Sequence, residues 1–581
     1  MTMRILQTAV IIFCLSLITV TSLGQERHTV TKRYDNGKKS SETEYLDTIP
    51  DGKHTAWYPN GRIMEKGNYS NGQKTGTWIS LYSNGDSLSL INYENGPYRI
   101  WFDNGKLSVT GTVKNGEKEG LWTEYYFNGK KKSEIFYKGG KPTGKQRAWF
   151  ENGTLRYEFT KPDGSYQSFY SSGEKRETGS FKNGKRQGLW TGYFKNGRKM
   201  YEGNYSENKK TGVRKEYYIN GKLKKSEPFE NGEYKEFYID GKPAVKGTVK
   251  NGKREGLWTY WHENGKTKET ITYKSGLKEG KSERWFSSGT KAFEGNYNND
   301  SLNGYAVWWY ENGNKEMEGN NINDLQDSVW KFYYKNGQMG STGNFSSGKM
   351  NGVWTYYYPT GELWKKGEYR MDVKEGLWTT WWENGKKLQE GGYENGKETG
   401  LWKSWYDNGQ LKDEGNFDKG MMTGKWNGWF KDGTINYSYN YKNNLKDGWC
   451  EQNYDNGKPK YKGGFKEGLR HGNFSEYYKT GDLLSKGKYV NGKKEGQWVF
   501  YDVRGNIYKK QTMKDGKPVG KWVEYYANGK KKGEGSYKDL LRHGVWTYWD
   551  KNGKIVYKVQ YDRGRKVKVI VDAKRGVGTG K

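Results

Sequence analysis

Cysteine, histidine and long apolar runs are scarce in this 581-residue chain, and each scarcity removes a class of protein. Of the two cysteines, Cys14 sits in an N-terminal apolar stretch and Cys450 stands alone, so no intramolecular disulfide framework is possible. Five histidines, none in a His-x-x-x-His spacing, give no metal-ligand signature; His471 and His543 fall in matching Leu-Arg-His-Gly segments and read as repeat positions. Gly280-Lys281-Ser282 resembles the end of a phosphate loop, but Gly276 is one residue too near and no helical pattern comes after it. No window keeps a 3.6-residue period, and glycine recurs too often for stable helices.

Aliphatic residues are also sparse. Hydrophobic residues make up 32% of the chain and aromatics supply half of that, a bulk composition close to the disordered range. The aromatics argue the other way, because 26 Trp, 49 Tyr and 20 Phe recur at fixed phases, and each ring buries roughly 150–250 Å² when packed.

The phase is set by a glycine closing an Asn-Gly-type turn, at Gly37, Gly61, Gly85, Gly105, Gly129 and onward through Gly197 and Gly265 to Gly553. These turns number 23, spaced 24 residues apart except for three gaps of 20, from Gly85 to Gly105, Gly153 to Gly173 and Gly221 to Gly241. A unit of this size cannot enclose a core of its own, so neighbours must bury one another's apolar faces. Between Gly188 and Gly212 one unit reads as an aromatic run from Trp190 to Phe194, the Asn196-Gly197 turn, and a second run carrying Gly203 and Tyr205. The Asn-Gly pair predicts a tight turn with positive φ at both central residues; stretches such as Asn115 to Gly120 predict a longer second loop. Each unit therefore supplies two antiparallel strands, and the short gaps predict a shortened hairpin loop. They recur every 68 residues together with Gly-Leu-Trp at Trp122, Trp190 and Trp258, a three-unit cassette confined to the N-terminal half.

On a strand, residues two apart share a face. The Trp seven before the turn glycine is expected on one side with the ring three before it, as Trp402 with Tyr406, and the ring four before it on the other, as in Trp381, Trp405 and Trp429. The last three are candidate ligand-facing aromatics; Trp122, Trp190 and Trp258, with Gly129, Gly197 and Gly265, are structural repeat positions. Cys450 occupies a Trp position and reads as a small buried substitute.

The Asn-Gly turn, the Gly-x-Trp start, the paired aromatics and the Gly-x-Tyr of the second half resemble the bacterial MORN-repeat variant family over about residues 31 to 563. The resemblance implies an all-β fold, an elongated array of about 23 tandem antiparallel hairpins in a continuous twisted sheet. It also implies use as a scaffold, a dimerisation surface or a membrane-associated platform. Some relatives carry an antitoxin label, a further alternative that an export signal contradicts.

That signal is the expected reading of residues 1–24: Arg4, an apolar segment from Ile5 to Val20, and Ser22-Leu23-Gly24 before Gln25. A retained anchor is the alternative, although the segment is shorter than the roughly 20 residues a spanning helix needs. The expected domains are this leader, the array at 25–563, and a terminal strand with a basic tail at 564–581. Lys and Arg outnumber Asp and Glu by 100 to 67; losing Arg4 with the leader lowers the net charge of +33 by one to +32. The expectation is a non-enzymatic, cofactor-free, exported scaffold, periplasmic, outer-surface or secreted. It would be peripheral to any membrane and bind proteins or anionic envelope surfaces such as lipid headgroups, lipopolysaccharide or acidic glycans. Glycan binding by an exposed aromatic ladder is the rival, and nucleic acid is disfavoured by export. Repeated carboxylates such as Glu263, Glu311 and Glu383 stay in phase with the turns and mark no catalytic pair.

Overall fold

The computed structural model describes residues 26–576. The expected leader and the last residues of the basic tail lie outside the described residues. Fifty strands and no helix occupy the described chain. It divides into two units, one ending at Gly265 and the other beginning at Lys266. Within each, every strand pairs antiparallel with its neighbour in sequence, as Lys185–Tyr193 does with Lys175–Lys182 before it and Lys199–Ser206 after it. This is the expected all-β array of hairpins. All three short gaps fall in the first unit, and the second contains only 24-residue units.

The two turns of the repeat exchange the roles expected of them. At Asn196-Gly197, the Gly197 N–H donates to Phe194 O and the Phe194 N–H donates to Arg198 O, both at 2.9 Å. Only Gly197 has positive φ, at 79°, and the register slips at Tyr193, so this is a type I turn closed by a left-handed glycine bulge. All 23 turn glycines share that conformation, with φ from 75° to 105°. The two-residue type I′ turn lies in the loop expected to be longer: Asn183 and Gly184 have φ of 51° and 72°, and Lys182 pairs directly with Lys185. The residues after this turn, from Lys185 to Gly188, already belong to the strand. Gly188, with φ of 68°, and Leu189 form a bulge ahead of Trp190.

Asparagine is preferred before the bulge glycine for its amide rather than for its backbone. Asn128 Oδ1 accepts the Lys130 N–H at 2.9 Å, and its Nδ2 donates to Glu151 O of the next repeat at 2.9 Å. One side chain closes its own turn and ties it to the following one. The ring three before the glycine does the same at its hydroxyl, as in Tyr406 to Trp429 O at 3.0 Å, with the indole of Trp382 substituting once through Nε1 to Trp405 O at 3.1 Å. Tyr406 therefore stands in the turn and does not share the Trp402 face, contrary to strand parity.

The short gaps remove strand rather than loop. Ser87–Asn92 and Asn95–Trp101 have 6 and 7 residues where Lys387–Glu394 and Lys397–Trp405 have 8 and 9. Two residues go from each arm, which keeps the alternation of faces. At the C-terminal end, Arg565–Asp572 does pair with Ile555–Asp562, but Val567 and Val569 are exposed rather than forming a buried row. Two register slips in this pairing break the expected alternation.

Candidate functional site

The core of each repeat is a tryptophan laid on a glycine. Trp122, Trp190 and Trp258 lie flat over Gly111, Gly179 and Gly247 of the preceding strand, where any Cβ would overlap the indole. Each donates its Nε1–H to the carbonyl one residue further on, Thr112, Ser180 and Thr248, at 3.1, 3.2 and 3.2 Å. A cation covers the outer face of each ring: Lys118 at 4.3 Å, Arg186 at 3.9 Å and Arg254 at 4.5 Å from the centroid. In the second unit, Tyr369 and Tyr393 add edge contacts to Trp378 at 5.0 and 6.1 Å. The ring is thus enclosed by glycine below, a cation above and tyrosines at its sides. Trp190 is wholly buried on what remains a single-layer sheet. This face is packing, and a share of the basic charge belongs to it.

Four departures from the Trp-on-Gly pair conserve volume, whereas Arg214 over Gly203 and Trp522 opposite Gln511 do not follow the exchange. Where Trp gives way to Cys450, Gln146 or Ser282, the facing glycine becomes Tyr439, Ile135 or Ile271. Where Ala306 faces Gly295, the ring of Phe293 from the same strand fills the space, its Cζ 2.7 Å from where a Gly295 Cβ would stand. Cys450 is fully buried, and its Sγ faces Asn440 O at 3.9 Å, the carbonyl that an indole N–H would have taken. Burial pushes its thiol pKa up. It is the small buried substitute expected.

On the opposite face, Trp381, Trp405 and Trp429 are all half-buried. Their carbonyls accept the turn hydroxyls of the repeat before, or the indole of Trp382. Lys387 Nζ lies 5.6 Å over the Trp405 ring, and Lys387 itself pairs with Glu390 at 2.7 Å. The three rings stand in register, one per repeat, rather than converging. Of them, Trp429 borders an open hollow of about 540 Å³.

The same face exposes a row that strand parity places there and that the sequence reading did not single out, the residue immediately before the core tryptophan. In the first unit it is Leu121, Leu189 and Leu257; in the second, Tyr305, Val329, Val353, Leu377 and Leu401 occur in five consecutive repeats, Leu377 being 63% exposed. Successive members are two strands, or about 10 Å, apart.

Further basic charge lies on the open face, where Lys131, Lys199 and Lys315 pair with Glu134, Glu202 and Glu318 as Lys387 does with Glu390, and at the two edges. At the bulged turns, lysines bond to backbone, as Lys106 Nζ to Asn128 O at 2.9 Å and Lys386 Nζ to Asn408 O at 2.7 Å. At the type I′ turns, exposed lysines face each other directly: Lys138 with Lys141, Lys182 with Lys185 and Lys250 with Lys253 in the first unit, and Lys514 with Lys517 in the second. Opposed like charges destabilise a hairpin. Of the six in the first unit, Lys185 has a carboxylate within reach, Glu207 at 3.3 Å.

The MORN repeat variant pattern matches at residues 50–71, 94–115, 118–138, 162–183, 210–231, 230–251, 254–275, 350–371, 374–395, 398–419, 470–491, 518–539 and 542–563. The chain belongs to the MORN repeat variant family. Each match runs from one strand through the bulged turn and back along the next strand, ending at a type I′ turn except at 210–231, which ends at a shortened hairpin, so the MORN unit is the hairpin that carries one core tryptophan position. No curated protein matches the chain significantly. Among solved structures it is similar to the crystal structures of TcdB2-TccC3-Cdc42 and TcdB2-TccC3, at 10% and 9% identity over 92% and 94% of this chain and 32% of each of theirs. It is also similar to the Photorhabdus luminescens Tc holotoxin pore, at 10% identity over 92% of this chain and 31% of that one. The TM-score is 0.12 in all three, and the chain spans about a third of their length.

Proposed function

We propose that this MORN-repeat chain is a non-enzymatic, exported scaffold that binds an anionic envelope surface along the type I′ turn edge of its first unit. The observation that carries the reading is the set of lysine pairs facing each other across those turns, Lys138 with Lys141, Lys182 with Lys185 and Lys250 with Lys253. Many cations elsewhere are engaged by rings, carboxylates or carbonyls, as Arg186 over Trp190, Lys387 with Glu390 and Lys106 with Asn128 O are. Opposed lysines cost the free protein stability that an anionic surface would return, at about 1 kcal/mol for each lysine near the headgroups. Export rests on the N-terminal leader pattern alone.

Co-sedimentation with phosphatidylglycerol and phosphatidylcholine vesicles at several salt concentrations tests this. Binding should favour the anionic vesicles, fall with salt, and be lost when the six lysines are changed to Glu. Equal binding to both vesicles, or no effect of the six changes, overturns it.

A protein partner is the second reading, favoured by the row of exposed apolar residues from Tyr305 to Leu401. An uncovered row of this kind fits an extended partner segment laid across consecutive repeats. Capture of an envelope protein that survives Leu377→Asp with Leu401→Asp would place the contact elsewhere.

A further inference from the structure

One place in the second unit breaks the repeat on both faces at once. At Trp449-Cys450 the tryptophan has moved one residue along the strand, so it leaves the core and stands on the open face, 49% exposed. Its core volume is supplied by the ring of Tyr439, which is buried. On the open face around it, the residues that usually fill the surface are replaced by smaller or shorter ones. Ile435 stands where Lys387 and Lys531 stand in their repeats, Ser438 where Glu390 and Glu534 do, and Asn453 where Trp405 and Trp429 do. The outcome is the hollow of about 540 Å³, walled by Trp429 and Trp449 and floored by Asn427, Ser438, Asn440 and Glu451.

The floor is ordered by its own hydrogen bonds. Trp449 Nε1 donates to Glu451 Oε1 at 2.8 Å, which fixes the indole; Asn440 Nδ2 donates to Trp449 O at 2.6 Å; Ser438 Oγ donates to Asn427 Oδ1 at 3.0 Å. An amide has two donor hydrogens and two acceptor lone pairs, so both asparagines keep bonding capacity beyond these contacts. Burial raises the Glu451 pKa, but bonds from Trp449 and Lys462 outweigh it and hold the carboxyl below its ordinary value, so it is ionised at neutral pH.

We propose that this hollow binds a short, uncharged oligosaccharide. The wall supplies two flat apolar rings and the floor supplies neutral amides, a hydroxyl and one carboxylate, which matches a ligand with C–H faces and hydroxyl edges. The lining holds one carboxylate, Glu451, and one cation, Lys425, so its charges balance and give no net pull on a phosphate or sulfate, and a purely apolar ligand would strand the polar floor without partners. Trp429 and Trp449 lie on strands two apart and offset by four residues, so their Cα atoms are separated by about 16 Å. One sugar ring does not bridge that span, and a di- or trisaccharide does.

This site is independent of the lysine edge. The test is calorimetric titration of the full chain with maltotriose, cellotriose, chitotriose and mannotriose, each up to about 10 mM. At least one should bind. Trp449→Ala should weaken it by at least about tenfold, as should Ser438→Glu, which restores the usual carboxylate to the floor. Leu401→Ala, the matching surface position of a regular repeat, should leave binding unchanged. Circular dichroism of all variants separates loss of binding from loss of fold. Absence of binding to all four sugars by the unmodified chain overturns the proposal, and so does undiminished binding by folded Trp449→Ala.

Discussion

If the core slot requires volume rather than a particular residue, the pair found at Tyr439 and Cys450 should be transplantable into a regular repeat. Gly391 and Trp402 are a suitable host: a Cβ on Gly391 would overlap the indole, and Trp402 Nε1 donates to Gly392 O at 3.1 Å. Trp402→Cys alone removes a buried ring and opens a cavity, at a cost of about 3–5 kcal/mol. Gly391→Tyr alone forces a second ring into an occupied slot, at about 1–3 kcal/mol or more. The double variant exchanges one ring for another across the same strand pair. It should recover about 2–3 kcal/mol relative to the sum of the singles, the upper range of coupling between residues in contact.

A repeat array opens locally, so the readout is hydrogen exchange of the amides in Lys387–Glu394 and Lys397–Trp405. Each single change should speed exchange there, and the double should restore protection by about 30-fold or more over the additive expectation, at 1.4 kcal/mol per factor of ten. Additive singles, or a double worse than either, would refute the volume rule. So would a harmless Gly391→Ala, because a methyl there has no room beneath the ring.

Single contacts give further outcomes. Tyr406→Phe deletes the hydroxyl bond to Trp429 O and should cost about 1 kcal/mol, seen as faster exchange at the turns it joins and nowhere else. Asn128→Ala loses both the turn bond and the inter-repeat bond and should cost about 1–2 kcal/mol by the same measurement, whereas Gly at that position should not rescue it, since Asn128 has no positive φ. His54 takes a core tryptophan position beside Trp78. Burial lowers its pKa, Lys74 adds to this, and Glu65 opposes it. The unfolded state therefore gains the proton first, so the first hairpins should be stable above about pH 6.5 and lose protection as pH falls below it; pH-dependent exchange at residues 49–57 checks this, and His54→Phe should flatten the profile. The Cys450 thiol should resist Ellman's reagent in the native chain and react on addition of denaturant.

The hairpin array, its period and its buried tryptophans were legible because they rest on spacing and strand parity, both carried by single residues at fixed phase. The turn types were read in reverse. Asn-Gly fits a type I′ turn and a bulged type I turn equally well, and the deciding feature is whether one more residue intervenes before pairing resumes, as Arg198 does. The reason for Asn196 and Asn128, an amide reaching a carbonyl in the next repeat, lies outside any local pattern. Likewise, Gly-x-Tyr was visible as a motif, but its glycine acquires meaning only from the indole lying on it. Trp381, Trp405 and Trp429 were placed on the correct face. The hollow beside Trp429 was missed, because it arises from absences at Ile435, Ser438 and Asn453 that show only when repeats are compared column by column.

Those absences bear on where recognition should be sought in a MORN array. A core slot can take its bulk from either strand, as Trp402 on Gly391 and Tyr439 with Cys450 show, so individual columns are free to change. At Cys450 that freedom has been used fully: Tyr439 fills the slot, and the core has no further need of a tryptophan nearby. Trp449 is thus a surplus ring, not explained by the packing that accounts for Trp378, Trp402 and Trp426. It is held by its own bond to Glu451 and faces solvent. A large exposed indole that stability does not require, fixed in orientation beside a cleared floor, is the feature of this chain hardest to derive from folding alone. Removing it should therefore leave the exchange protection of Gly448–Asn453 unchanged; a loss of protection in Trp449→Ala would return the ring to the core's account and remove the case for a ligand.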